Sequence, residues 1–339
     1  MPLDIKTLGY VGFDNLGDEA ILAGLTEALR QRPVFREATI TALSADPLRT
    51  RALHPGIQSA PRRPLRSLAR RMRGTDLFVL GGGSLFQDAT SIRSVLWYAL
   101  AARFARAGAR KVLWWGHGIG PLNSPIARRL VAMTARQADA ITVRDPASAR
   151  LLKDCGYRGS VELVPDPAFL LPLPDAPVDR AGTVVAWRSW SGRSGPPSGA
   201  WFPEPVRTLP MHPPDAGALP DGERIDWTSM DQPLSRVLSA VASARLVVAV
   251  RLHALIFSVV VGTPFVAISY DPKVAALAEA TGQQDACIAL DECDASRLDA
   301  ATRRVLDQWP QRHAHLAELA RRFRSEAARP AVIAEEWFA

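Results

Sequence analysis

Short apolar runs alternate with longer stretches of helical periodicity along most of the chain. In the first half the runs Ile5–Val11, Ala38–Leu43, Asp76–Leu80, Lys111–Trp115, Ala140–Val143 and Val161–Val164 read as β-strands. Between them, Gly17–Arg30, Ile92–Ala107, Ser124–Ala138 and Pro146–Asp154 repeat their apolar residues at helical spacing. Leu77–Leu80 is wholly apolar, as expected of a parallel strand buried on both faces. A second series runs through Thr183–Trp187, Val206–Met211, Leu246–Val250, Pro264–Ile268 and Cys287–Leu290. Its helices are expected at Leu234–Ala244, Leu252–Val261, Lys273–Thr281 and Leu298–Glu326. The alternation predicts an α/β fold of parallel sheets covered by helices.

The two series are divided at Leu170–Gly182, where three prolines and no periodicity mark a linker. A length of 339 residues suits two domains. We expect one over residues 1–175, another over 181–326, and a tail, 327–339, that packs back on the first. Ser189–Pro205 is rich in Gly, Pro and Ser and reads as a loop where a doubly wound domain normally carries its first helix.

The net charge is +7, but 37 of the 41 basic residues are Arg, beside abundant Ala and Pro. That ratio reads as compositional bias, and nucleic acid is not an expected partner. The three cysteines form no C-x-x-C and fit a reducing, cytoplasmic setting. The first residues lack the apolar core of a signal peptide, and no apolar run is long enough to span a bilayer. His313 and His315 diverge on a helix, while His54 and His212 have no partners at ligand spacing, so no metal site is expected.

Ligands of open α/β sheets bind beyond the carboxyl ends of the strands, and four segments place polar residues there. GYVGFDNLGDEAIL, residues 9–22, carries Asn15, Asp18 and Glu19 at a helix start; its glycines do not have dinucleotide-fingerprint spacing. Those polar residues either face a ligand or cap the helix. GGGSLFQD, residues 81–88, reads as a ligand-facing loop in which Gly82 and Gly83 bring backbone amides close and Asp88 is a candidate base. GHGIGP places His117 between two glycines, and VRDP places Arg144 where it either binds a ligand or bridges to Asp145.

The sharpest signal is VVAVRLHALIF, residues 247–257, where Arg251 and His253 follow an apolar strand. If the chain is still extended there, the two side chains project to one side. A guanidinium so close to a core requires an anion, or a carboxylate such as Asp271. Arg188, at the end of the second domain's first strand, is the natural second guanidinium, and two suit a small polyanion bearing phosphate and carboxylate.

With these segments in order from residue 9 to residue 274, the chain resembles the polysaccharide pyruvyl transferase family. It is most similar to the branch acting on secondary cell-wall polymers of surface-layer bacteria. VRDPAS, the DPAFLL run and RLHALIFSVVVGTPFVAISYDPKV complete the match. The resemblance implies two Rossmann-like domains facing across a cleft, as in GT-B enzymes. It implies phosphoenolpyruvate as donor co-substrate, no cofactor, and a 4,6-ketal on N-acetylmannosamine as product. The acceptor would be lipid-linked or an oligosaccharide, handled at the inner face of the plasma membrane.

In that scheme Arg188, Arg251 and Lys273 hold the donor, and His253 protonates its vinyl carbon. Asp18, Glu19, Asp88 and His117 are the candidate bases, and Asn15, Gly82, Gly83 and Arg144 complete the acceptor side. Two other classes remain open: a GT-B glycosyltransferase using a nucleotide sugar, and a non-catalytic binder of an anionic glycan or nucleic acid. The basic segment Arg62–Arg73, with Leu65, Leu68 and Met72 at helical spacing, is expected either to lie on an anionic membrane or to pack as an ordinary surface helix.

Overall fold

A computed structural model of the chain describes residues 2–89, 91–175, 179–190, 195–229 and 231–339. The chain forms two compact units. One comprises Met1–Phe13, Asp18–Leu171 and Phe323–Ala339; the other comprises Asp14–Gly17 and Pro172–Arg322.

The first unit is built on β1 (Asp4–Leu8), β2 (Thr39–Ser44), β3 (Gln58–Pro61), β4 (Thr75–Leu80), β5 (Gly83–Phe86), β6 (Ala109–Ile119), β7 (Ala140–Val143) and β8 (Glu162–Leu163). The strands form a sheet in the order β3-β2-β1-β4-β6-β7-β8, with β5 paired to β6, and every pairing is parallel. Its helices are α1 (Leu16–Arg30), α2 (Pro47–Leu53), α3 (Leu65–Arg71), α4 (Ile92–Gly108), α5 (Pro125–Ala135) and α6 (Pro146–Asp154). Alternate strand residues such as Phe78, Leu80, Val112 and Trp114 pack on Leu68, Val95, Val131 and Leu152 of α3 to α6. That is the period-2 geometry of a sheet covered by helices.

The second unit pairs β9 (Thr183–Ala186), β10 (Val206–Thr208), β11 (Glu223–Arg224), β12 (Leu246–Ala249), β13 (Phe265–Ser269) and β14 (Cys287–Ala289). Their order is β11-β10-β9-β12-β13-β14, again all parallel. The helices are α7 (Pro233–Ala242), α8 (Leu252–Val260), α9 (Pro272–Ala280), α10 (Ala295–Asp307) and α11 (Trp309–Ala327). The chain then forms α12 (Arg329–Glu336), which belongs to the first unit. There Trp115 Nε1 donates to the Ala327 carbonyl at 3.2 Å, and Arg32 Nε donates to Glu335 at 2.7 Å.

The predicted helix over Leu298–Glu326 is two helices. Pro310 lies in the first turn of α11, where its missing N–H and its ring forbid continuation from α10. The predicted first strand ends at Leu8, so Gly9–Val11 leaves the sheet. GGGSLF is not a free loop, because Gly83–Phe86 adds a short strand beside β6. The described residues between β9 and β10 contain no helix, while 191–194 of the predicted loop and 176–178 of the predicted linker fall outside the described residues. No helix among the described residues is long and apolar enough to cross a membrane.

Candidate functional site

The carboxyl edge of the second sheet collects the strongest candidates. Register pairs Ala186 of β9 with Ala249 of β12, so Arg188 and Arg251 each stand two residues beyond paired positions on adjacent strands. Arg251 is extended (φ −86°, ψ 123°) and precedes α8, which places His253 on the first turn of that helix. The expectation that both residues share an extended segment is therefore corrected: the chain turns helical at Leu252. His253 is half-buried there.

Arg251 has a carboxylate partner, and it is Asp215, not Asp271. Its Nε donates to Asp215 Oδ2 at 2.9 Å, and Nη2 closes a two-pronged pair with Oδ1. Asp215 is buried, so the pair satisfies a charge that would be costly alone. Asp271 instead caps α9, accepting from Lys273 N–H at 3.1 Å, while Lys273 Nζ lies 3.2 Å from its other oxygen.

Arg188 is held differently. Its guanidinium carbon lies 4.8 Å from the centre of the Trp190 ring and 5.4 Å from that of Tyr270, and those two rings are 4.8 Å apart. Among the described residues it has no ion-pair partner, and its one recorded polar contact is to the Ser189 carbonyl. Tyr270 follows β13, on the far side of β12 from β9. This contact therefore spans the end of β12, from which Arg251 emerges.

Asp14–Gly17 belongs to this unit. Leu16 N–H donates to the Met211 carbonyl at 2.9 Å, and Asn15 Oδ1 accepts from Gly17 N–H at 3.2 Å. A side-chain carbon at Gly17 would collide with the His253 imidazole. Glycine alone lets this segment lie against the ring, while Asn15 folds back on its own turn.

In the first unit several predicted site residues face inward. Glu19 accepts from Gly12 N–H at 2.9 Å and meets His54 Nε2 at 2.8 Å, and both side chains are buried. Its carboxylate fixes the loop after β1 and presents nothing to a ligand. His117 is fully buried against Trp114 and Phe86, with Nε2 at 3.0 Å from the Leu80 carbonyl. Burial lowers its pKa to about 4, so it is neutral and enclosed and not a cleft base. Arg144 donates to Asp166 at 2.6 Å and to Ser84 Oγ at 3.1 Å, while Asp145 caps α6. Arg144 is thus paired with Asp166, and no bridge to Asp145 is formed among the described residues.

Asp88 accepts from the backbone N–H groups of Asn123 and Ser124 at 2.7–2.9 Å, and these bonds hold its pKa below the usual carboxylate range. That makes it a poor base. The glycines of the triplet have packing reasons. A Cβ on Gly82 would press on two backbone oxygens of β6 and on Pro167 at 3.1 Å, and Gly83 has φ +87°. That same hypothetical carbon on Gly83 would stand 3.1 Å from Asp18 Oδ1, and Asp18 lines with Thr7, Tyr10 and Gly81 a small cavity of about 10 Å³, room for a single water. Tyr10 has its pKa raised by burial and by the Asp18 charge. The sequence reading missed Tyr10, Trp190, Asp215 and Tyr270, since isolated aromatics and acids carry no spacing signal.

The polysaccharide pyruvyl transferase family model matches residues 15–272, which spans both clusters. The chain belongs to that family. It is accordingly a pyruvyl transferase, with a pyruvyl donor and a polysaccharide acceptor. No curated protein matches it. Among solved structures, a putative UDP-N-acetylglucosamine 2-epimerase from Listeria monocytogenes is similar at 12% identity and TM-score 0.60, over 94% of this chain and 91% of that one. HepE from Anabaena, solved with UDP and glucose, is similar at 13% identity and TM-score 0.55, over 99% and 98%. The UDP-GlcNAc 2-epimerase from Methanocaldococcus jannaschii is similar at 12% identity and TM-score 0.53, over 91% and 93%. These likenesses bear on fold, and the fold is GT-B-like with two Rossmann-like α/β units.

Proposed function

We propose that the pyruvyl donor is phosphoenolpyruvate, bound at the carboxyl edge of β9, β12 and β13, and that two hydroxyls of one acceptor hexose become a ketal. The observation that carries this reading is Arg188: a guanidinium at a strand end, packed beside Trp190 and Tyr270, with no carboxylate to neutralise it among the described residues. Arg251, oriented by Asp215, and Lys273 add charge at neighbouring strand ends. Phosphoenolpyruvate offers a phosphate and a carboxylate, matching planar guanidinium donors.

His253, on the first turn of α8, is the general acid of the proposed reaction. It gives a proton to the vinyl CH2, which becomes a methyl and leaves an oxocarbenium-like centre at the adjoining carbon. One sugar hydroxyl adds there and loses its proton. Phosphate then leaves with the electrons of its C–O bond, and the second hydroxyl closes the ring. One hydroxyl proton replaces the one His253 delivered, and the other departs with phosphate. No step of the scheme calls on a metal or other cofactor.

The acceptor that best fits the sequence resemblance is N-acetylmannosamine, bridged at O4 and O6, within a lipid-linked or oligosaccharide precursor of a secondary cell-wall polymer. A glycosyltransferase using a nucleotide sugar would use the same strand ends for a diphosphate. Calorimetry separates the two. Phosphoenolpyruvate should bind saturably, Arg188→Met should weaken it at least about tenfold, and nucleotide sugars should not compete. Binding of a nucleotide sugar with no response to phosphoenolpyruvate would overturn the reading.

A further inference from the structure

Helices α3, α4 and α5 lie side by side on one face of the first sheet, and residues 62–73 and 91–138 contain no Asp or Glu. The buried sides of these helices meet the sheet, so their exposed sides form one surface. On it Ile92, Leu96 and Leu100 of α4 and Ile126 and Met133 of α5 are 36–65% exposed. Single exposed apolar residues are ordinary, but five large ones on neighbouring helices, three of them spaced i, i+4, i+8, form a patch.

Arginines surround that patch. Arg63, Arg66, Arg70 and Arg73 are exposed on and beside α3, and Arg93, Arg103, Arg129 and Arg136 are exposed on α4, on α5 and just past α5. None of these eight has an ion-pair partner among the described residues, whereas Arg106 at the edge pairs with Asp139. Arg128, Arg129 and Arg136 also line a groove of about 590 Å³ between α5 and α6, with Met133 in its wall and Asp154 at its edge.

Helix α3 supplies charge alone. Leu68 and Met72 are fully buried on the sheet side, and Arg62 is buried over the Trp97 ring at 4.0 Å. The expected amphipathic membrane face of Arg62–Arg73 is thus not formed by that segment. The apolar component comes from α4 and α5, far along the chain from it.

We propose that the α3–α4–α5 face rests on a bilayer containing anionic lipid, with Leu96, Leu100 and Ile126 entering the headgroup boundary and the arginines meeting lipid phosphates. The proposal does not depend on the identity of the pyruvyl donor. A second copy docked symmetrically on this face would set its arginines against one another. A nucleic acid would use the arginines but not the exposed Leu, Ile and Met. An anionic bilayer uses both.

The test is sedimentation of the full chain with phosphatidylglycerol–phosphatidylcholine vesicles and with phosphatidylcholine vesicles, at low and high salt. We expect at least about tenfold preference for the anionic vesicles, weakened by salt. L96Q/L100Q should reduce partitioning at least about tenfold although every arginine remains. Ile126→Gln on the neighbouring helix should lower it independently, and thermal melts should show both variants folded. A wild type that stays in solution with anionic vesicles at low salt overturns the proposal. So does binding insensitive to L96Q/L100Q, which identifies a general polyanion surface, or a dimer that L96Q/L100Q converts to monomer.

Discussion

Arg188 and Arg251 look alike in sequence, but their surroundings assign them different work. Arg251 is a braced cation whose fork is already set by Asp215, and Arg188 is a cation packed beside two adjoining aromatic rings. An ammonium cannot reproduce the two-pronged contact, so Arg251→Lys should cost about 2–4 kcal/mol of transition-state stabilisation. Steady-state kinetics check this, and activity within about threefold of wild type would contradict it. His253→Gln should keep donor binding in calorimetry and lose turnover, since an amide accepts and donates hydrogen bonds but cannot protonate carbon. Parallel loss of both would make His253 a binding residue only. His117 tests the opposite kind of role. Its folded-state pKa, about 4, lies below the ordinary 6.5, so the unfolded chain takes up the proton first. Its contribution is whole above about pH 6.5 and falls away as the pH drops toward 4. His117→Gln should therefore shrink the stability difference between pH 7 and pH 5, measured by urea unfolding, by about 2 kcal/mol.

At the scale of elements, apolar runs announce the strands because parallel strands buried on both faces have no polar side to interrupt them. Pro146–Asp154 is a helix with the predicted bounds, fixed by Asp145 as cap and Pro146 behind it. The short β3, β5 and β11 escaped because two to four residues leave too little pattern to read. Site residues were legible as a set but not in their roles. Asp88, Arg144 and Arg251 are each held by groups 22 to 60 residues away, and nothing local marks such partners. The Asp14–Gly17 segment against α8 is of the same kind, because Gly17 reads as a helix start and not as a neighbour of His253. Gly17→Ala should lower turnover at least about tenfold by displacing the imidazole or the segment. Its urea midpoint should move far less than that of Glu19→Ala, which strands buried His54. Equal kinetics for Gly17→Ala and wild type would remove that contact from the account.

For the whole molecule, the family match establishes a pyruvyl transferase and the fold is GT-B-like, while the donor and the acceptor sugar are our proposal. Its central claim is that phosphoenolpyruvate is protonated at its vinyl carbon while its phosphate is displaced by two hydroxyls. The most direct measurement is turnover in deuterated water with phosphoenolpyruvate and a panel of N-acetylhexosaminide acceptors, read by phosphate release and by the mass of the product. The account predicts one phosphate per product, a mass gain of pyruvic acid less water, and one deuterium in the new methyl group. A product that keeps its vinyl group would contradict it, as would transfer that proceeds only with a nucleotide sugar and leaves phosphoenolpyruvate intact.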